Sequence, residues 1–389
     1  MENKERALAH VEKIEWISPI EGADNIELIG VLGWVCIAKK GEFNVGDMAV
    51  YIEIDSKCPE TDERFAFLAN KKFKVKTMKL GKFKVISQGL ALPLSLFPEL
   101  QDRNIGDDVT EALKITYASE EDTARKTNKV DPNAKYKSMA KRRPKLFANP
   151  IVRRIMRYSI GRKIMFLLFG RKKDNPKKFP DWIVKTDETR IENAPFYLQS
   201  TEKWIKTEKC DGTSCTFAVD RLKKGKNKFD FIVCSRNVRQ ADREQACYHE
   251  SNIYWELADK YDIEKILTQF ATENNYNRVV LQGEGVGSVQ GNPYKFMENK
   301  LFVFNLIIDG TRLGTVEMAD FCKSHGLTSV PIIDTAYELP KTMEEMKLEA
   351  DGYSELNPKV KREGFVYRDI SGQKSFKNVS REYLLKHNG

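Results

Sequence analysis

From His10 to about Phe97, apolar and polar residues alternate in short runs broken by glycine, as in ELIGVLGWVCIAKKGEF, DMAVYIEID and KFKVKTMKLGKFKVISQGLALPL. A period of two with turn residues this dense predicts many short strands closing into a small β-barrel. Between roughly Thr116 and Pro180 the strand pattern fades, and RKTNK, KYKSMAKRRPK, VRRIMRYSIGRK and GRKKDNPKK form a strongly basic connection. Within it Ile151, Ile155, Ile160 and the run from Ile164 to Phe169 are spaced for one or two short amphipathic helices. From Trp182 onward strand-like and helix-like patterns alternate to the end, which predicts a larger α+β domain.

The expected division is therefore a barrel over 1–115, a basic linker or helical insert over 116–180, and an α+β domain over 181–389. At 389 residues the chain is long enough for two separate cores. A five-stranded OB-fold has the size and strand density of the first segment, and such barrels either hold single-stranded nucleic acid or merely support a neighbour. A formal net charge of +9 favours polyanionic partners without locating a site. Hydrophobic residues at 41% and charged residues at 31% fit a folded chain rather than a disordered one.

Seven cysteines, odd in number and without a C-x-x-C pair, argue against a disulfide framework or a structural zinc site. Free thiols point to a reducing compartment, cytoplasmic or nuclear. The N-terminal MENKERALAH has no apolar core of a secretory signal, and the apolar run from Ile164 to Phe169 is too short to span a membrane.

The segment WIKTEKCDGTSCTFAV puts Lys209, Asp211 and Gly212 in a tight turn between two strand-like runs. A lysine is a nucleophile only as the neutral amine, and a nearby cation helps expel its proton. Glycine lets backbone approach a nucleotide, and the acid can orient the turn. Alone, K-x-D-G reads more readily as a surface lysine beside an Asp-Gly turn. Five clusters follow it in order: IVCSRN with Arg236, VVLQGEGVGSVQGNPY with Glu284, KLFVFNLIIDG with Phe304, REGFVYR with Glu363, and QKSFKNVS with Lys374 and Lys377.

In that order the sequence resembles the covalent nucleotidyltransferase superfamily of ligases and RNA capping enzymes. The phrases EGADNIELIGVLGWVCIAKKGEFNVGDMAVYIEIDS, KTDETRIEN, EKCDGTS and SVQGNPY narrow the resemblance to the RNA ligase family whose OB domain precedes the ligase domain, sometimes called the fifth RNA ligase family. The resemblance covers nearly the whole chain except the basic segment. It implies an α+β chain with an N-terminal OB barrel and a nucleotidyltransferase (adenylation) domain. The implied activity joins a 5′-phosphate to a 3′-hydroxyl of RNA, using ATP with magnesium, or manganese in its place, through a lysyl-AMP intermediate. A monomer is expected.

By the same resemblance Lys209 accepts AMP, with Asp211 and Gly212 shaping its turn. Arg236 contacts ribose or the incoming 5′-phosphate, with Asn237 beside it. Glu284 binds ribose or a metal-bound water, Phe304 stacks on adenine, and Glu363 holds the metal and positions the lysine. Lys377 or Lys374 neutralises the α-phosphate. Lys185 and Arg190 orient pyrophosphate, unless Asp187 and Glu188 pair with them at a helix start. Arg153, Arg154 and Arg157, with Arg142 and Arg143, are expected to hold RNA phosphates without entering the chemistry. The barrel is expected to hold nucleic acid rather than ATP, since every nucleotide motif follows Trp182. Ser214 and Asn305 stand where related ligases often carry asparagine and aspartate. The rival readings are a capping guanylyltransferase, a DNA ligase, and a non-catalytic RNA-binding protein.

Overall fold

A computed structural model describes residues 7–118, 144–156, 158, 160–161, 164–165, 177–223, 228–240, 252–289 and 291–388. Five antiparallel strands open the chain: β1 (Ala9–Pro19), β2 (Ile26–Val31), β3 (Trp34–Lys39), β4 (Met48–Ile52) and β5 (Leu90–Pro93), in the order β3-β2-β1-β4-β5. The sheet curls until its edges meet, where Gln88 N donates to Val35 O at 2.8 Å and Ile37 N to Ser87 Oγ at 3.1 Å. Alternation sends Ile14, Ile29, Val31, Trp34 and Cys36 into the barrel. Val50 and Ile52 point the other way, onto Phe65 and Phe97. This is the OB barrel that the strand density predicts.

Beyond the barrel, Ser56–Lys57 pairs with Thr116–Tyr117, so the chain is still bound to the barrel side past residue 115. In the basic segment, helices form at Pro144–Ala148 and Pro150–Met156, and the second buries no residue. Arg142, Arg143, Arg157 and most of the run from Ile164 to Phe169 lie outside the described residues.

The remainder builds two antiparallel sheets. The long one centres on β7 (Thr213–Arg221), β8 (Phe229–Cys234), β9 (Arg278–Val286) and β10 (Lys300–Ile308), in the order β8-β7-β9-β10. Phe217, Val219 and Leu281 pack from one face onto helices α1 (Ile253–Lys260), α2 (Ile263–Glu273) and α3 (Thr315–Ser324). The second sheet holds β6 (Trp204–Glu208), β11 (Ile332–Tyr337), β12 (Gly364–Asp369) and β13 (Ser375–Val379), in the order β11-β6-β12-β13. Trp204, Tyr367 and Phe376 pack there with Met346 of helix α4 (Met343–Ala350).

The expected separation of cores does not hold. Val379 of β13 and Leu384 of helix α5 (Arg381–Asn388) share one buried cluster with the barrel residues Ile29, Trp34 and Tyr51. At this seam Gly33 N donates to Glu192 O at 2.9 Å, and Lys347 Nζ to Gly33 O at 2.6 Å. A Cβ at Gly33 would lie 2.6 Å from Met343 Cε and 2.7 Å from Glu192 Cα, so only glycine permits this approach. Linker composition is visible in a sequence, whereas the fit of two surfaces folded far apart in the chain is not. Among the described residues no helix is long and apolar enough to cross a membrane.

Candidate active site

A cavity of about 410 Å³ opens between the two sheets and is closed on one side by the barrel. Lys209 stands at the end of β6, where Glu208 pairs with Phe365 of β12 and Lys209 N donates to Gly364 O at 3.0 Å. That register sets Glu363 beside it, with Lys209 Nζ 2.6 Å from Glu363 Oε1. Gly212 turns the chain against β9, where a Cβ would lie 2.4 Å from Gly285 O, so the motif glycine is required by close packing. Asp211 N donates to Tyr294 Oη at 2.7 Å, and this bond pins the turn. Tyr383 of α5 hydrogen-bonds the Asp211 side chain from the opposite wall.

Glu284 faces Ser214 across the β7–β9 pair, and both line the cavity. Ser214 Oγ lies 3.0 Å from Thr186 Oγ1, and Asn305 Nδ2 donates to Gln282 Oε1 at 2.9 Å, so each departure from the usual family residue has a local partner.

Phe304 owes its direction to a break in register. Gln282 pairs with Asn305 but Gly283 pairs with Val303, so Phe304 is the extra residue of a β-bulge. The bulge turns its ring out of the apolar strand and into the cavity wall. Its carbonyl accepts from Arg368 Nη1 at 3.1 Å.

Charge in the cavity is unbalanced. Seven carboxylates line it against five lysine and arginine side chains. Burial opposes the Lys209 charge, but Glu363, Glu284 and Asp211 outweigh it and hold the ammonium above its ordinary pKa. Burial, with Glu363 and Asp211 adding to it against the pull of Lys209, pushes the Glu284 carboxyl up to about 8. Asp187 holds two cations at once: Lys377 Nζ at 2.7 Å and Arg236 Nη2 at 3.0 Å. Glu188 pairs with Arg368 at 3.0 Å and Arg312 at 3.5 Å, and these cations overcome its burial to hold it below the usual carboxylate range.

The cavity thus brings together Lys209, Asp211, Gly212, Arg236, Glu284, Phe304, Glu363, Lys377 and Arg190. The choice between the two late lysines is clear in the fold. Lys377 is buried in β13, whereas Lys374 lies outside the cavity with Nζ 2.8 Å from exposed Glu202. Lys185, Asn237, Arg153 and Arg154 do not line the cavity either. The alternative of a salt-bridged helix start also fails, because residues 184–189 form no helix and Asp187 and Glu188 take the partners named above. Arg190 instead reaches Asp55 of the barrel side, Nη2 to Oδ2 at 3.1 Å. Its Nε and Nη1 are buried without a hydrogen-bond partner.

Four contributors have no motif to announce them. Asp55 and Tyr117 enter the cavity from the barrel side, which corrects the expectation that every nucleotide-facing residue follows Trp182. Tyr294 and Tyr383 act through Asp211, the first from SVQGNPY, whose tyrosine was the only available signal.

Among the described residues no three His, Cys, Asp or Glu side chains are grouped to hold a metal ion unaided. Glu284 and Glu363 flank Lys209 with oxygen donors, and magnesium characteristically takes one or two carboxylates together with substrate phosphates. The excess of acid in the cavity fits that group, since polyphosphate could enter only with added positive charge.

An OB-fold domain profile matches residues 8–94, and the RNA ligase profile matches residues 202–385. No curated protein matches the chain. Among solved structures it is similar to the Naegleria gruberi RNA ligase with PPi, at 31% identity and a TM-score of 0.74, covering 98% of this chain and 99% of that one. A lysine-to-alanine mutant of that ligase with ATP and Mn matches at 30% identity, TM-score 0.74, with 98% and 99% covered. A glutamate-to-alanine mutant with AMP and Mn matches at 30%, 0.74, 98% and 99%.

Proposed function

The chain belongs to the ATP-dependent RNA ligases with an N-terminal OB domain, and from that premise we propose how its own residues divide the work. The observation that carries the reading is Lys209 in contact with Glu363 at the floor of a cavity whose walls hold a stacking ring and four further cations. Capping, DNA-sealing and non-catalytic readings are not favoured by this membership.

In the first step the Lys209 amine attacks the α-phosphorus of ATP; a P–N bond forms, the bond to the bridging oxygen breaks, and pyrophosphate leaves. AMP then passes to the RNA 5′-phosphate, freeing the lysine. Finally a 3′-hydroxyl attacks that phosphate, and AMP departs. Glu363 holds the lysine proton and aims the amine. Asp211 and Gly212 fix the turn, with Asp211 anchored by Tyr383. Phe304 stacks on adenine, and Glu284 reads the ribose side or a metal-bound water.

Lys377 and Arg236 exchange Asp187 for phosphate oxygens, one charge-assisted bond replacing another. Arg190 offers its two unpartnered donors to the leaving pyrophosphate. Glu284 and Glu363 would hold a magnesium or manganese ion, which would supply positive charge to offset the phosphates. Lys374 and Lys185 have no part in this assignment.

The division into 1–115, 116–180 and 181–389 belongs to the same reading, supported by the two profile matches. So do action as a monomer and a place in a reducing intracellular compartment, the latter supported by six buried free cysteines among the described residues. The test is incubation with ATP and GTP labelled at the α-phosphate: label from ATP stays on the wild-type chain, none stays on Lys209→Ala, and none comes from GTP. Adduct on Lys209→Ala overturns the assignment.

A further inference from the structure

We propose that an RNA strand reaches the cavity along a lysine ridge on the barrel, with Tyr117 stacking on the base at the strand end. The inference deepens the ligase reading and rests on it. Residues 71–84, KKFKVKTMKLGKFK, hold seven lysines and no acid. Lys71, Lys72, Lys79, Lys82 and Lys84 are exposed. The last three ride on a hairpin formed by Met78–Leu80 and Val85–Ser87. Among the described residues, Lys72, Lys76, Lys79, Lys82 and Lys84 make no ion pair with an acid.

A lysine run is usually just a solvated face. Here it is joined to the active site by backbone. Asp55 N donates to Val75 O at 3.0 Å, and Val75 N to Ser56 O at 2.9 Å. On the other side of this central segment Ser56 pairs with Tyr117, and Ala118 N donates to Asp55 O at 2.7 Å. Asp55 and Tyr117 both line the cavity. The ridge therefore starts at Lys76, one residue from a backbone bonded to the cavity wall.

Tyr117 is built for a flat ligand. Its side chain is 45% exposed, while its backbone is held by the pairing with Ser56. The Arg236 guanidinium lies 5.6 Å from its ring centre. An exposed aromatic ring beside a guanidinium at the end of a cationic track matches the way single-stranded RNA is bound, bases on rings and phosphates on cations. The basic track fixes the partner as a polyanion, and the ring selects a nucleobase over a simple phosphate chain.

Two variants of the full chain test this with a 5′-phosphorylated single-stranded RNA. In Lys79→Gln/Lys82→Gln/Lys84→Gln, the slope of log affinity against log salt becomes shallower by about 2, at roughly 0.7 per lost phosphate contact. In Tyr117→Ala, the KM for RNA in sealing rises about tenfold, and Tyr117→Phe restores it. An unchanged salt slope overturns the ridge, and an unchanged KM overturns the stacking role. Label transfer from ATP to wild type is read in parallel, and its absence overturns the ligase reading while leaving the RNA-affinity result to judge the ridge.

Discussion

Trp34 donates its indole Nε1–H to Asn193 Oδ1 at 2.5 Å, joining the barrel to the transferase across 159 positions of sequence. Asn193 in turn donates to Glu53, and Arg190 to Asp55, so a row of polar bonds parallels the apolar seam. Removing the barrel would expose Val379 and Leu384 and leave the Arg190 guanidinium without its carboxylate.

A chain beginning near Phe179 should therefore lose self-adenylylation by at least about tenfold and melt at a lower temperature, because uncovering apolar surface and a buried cation both cost stability. Adduct yield and the melting curve check this. Full adduct yield from the shortened chain would show that the barrel contributes nothing to the ATP site.

Glu363→Gln keeps the shape of the side chain but removes the charge that pairs with Lys209. Adenylylation should fall by about 10²-fold or more, in line with the loss of one preorganised electrostatic group. Single-turnover rates with labelled ATP give the number, and a wild-type rate would place Glu363 outside the chemistry.

Lys377→Ala should lower the adenylylation rate by roughly 10²-fold, whereas Lys374→Ala should change it less than twofold, since the Lys374 pair with Glu202 is a solvent-exposed one. Comparing the two in one assay separates buried phosphate contact from surface charge. Equal losses would refute the assignment.

Phe304→Ala should raise the KM for ATP by about tenfold, from a lost aromatic contact of the order of 1 kcal/mol plus its buried area. Phe304→Tyr, retaining the ring, should stay near wild type.

Stability should depend on pH through His10. Burial disfavours its charge, but Glu12 at 2.8 Å and Glu53 at 3.4 Å reverse this and raise its pKa from 6.5 to about 9. The native state then holds a proton that the unfolded chain releases, so this stabilisation is whole below pH 6.5 and is lost as pH rises through 9. Its ceiling is roughly 3 kcal/mol. The melting temperature should drop between pH 6.5 and 9.5, and His10→Gln should flatten that dependence.

The sequence was most legible where chemistry sits in short local patterns. Lys209, Gly212 and Glu363 are each framed by their immediate neighbours, and the strand register simply brings them together. The direction of Phe304 was not legible, because it depends on one skipped residue in a strand pair. Nor were the partners of Asp187, which lie 49 and 190 positions away. Asp55 and Tyr117 were missed for the same reason on a larger scale: their place follows from docking of the barrel, and no periodicity records it.

The acid-flanked state of Lys209 has a consequence for an enzyme at rest. Aldehydes, cyanate and other small electrophiles modify amines only as the free base, and an ammonium clasped by Glu363 offers them no lone pair. The same carboxylates that must yield before the amine can attack thus protect it from chemical damage while no nucleotide is bound.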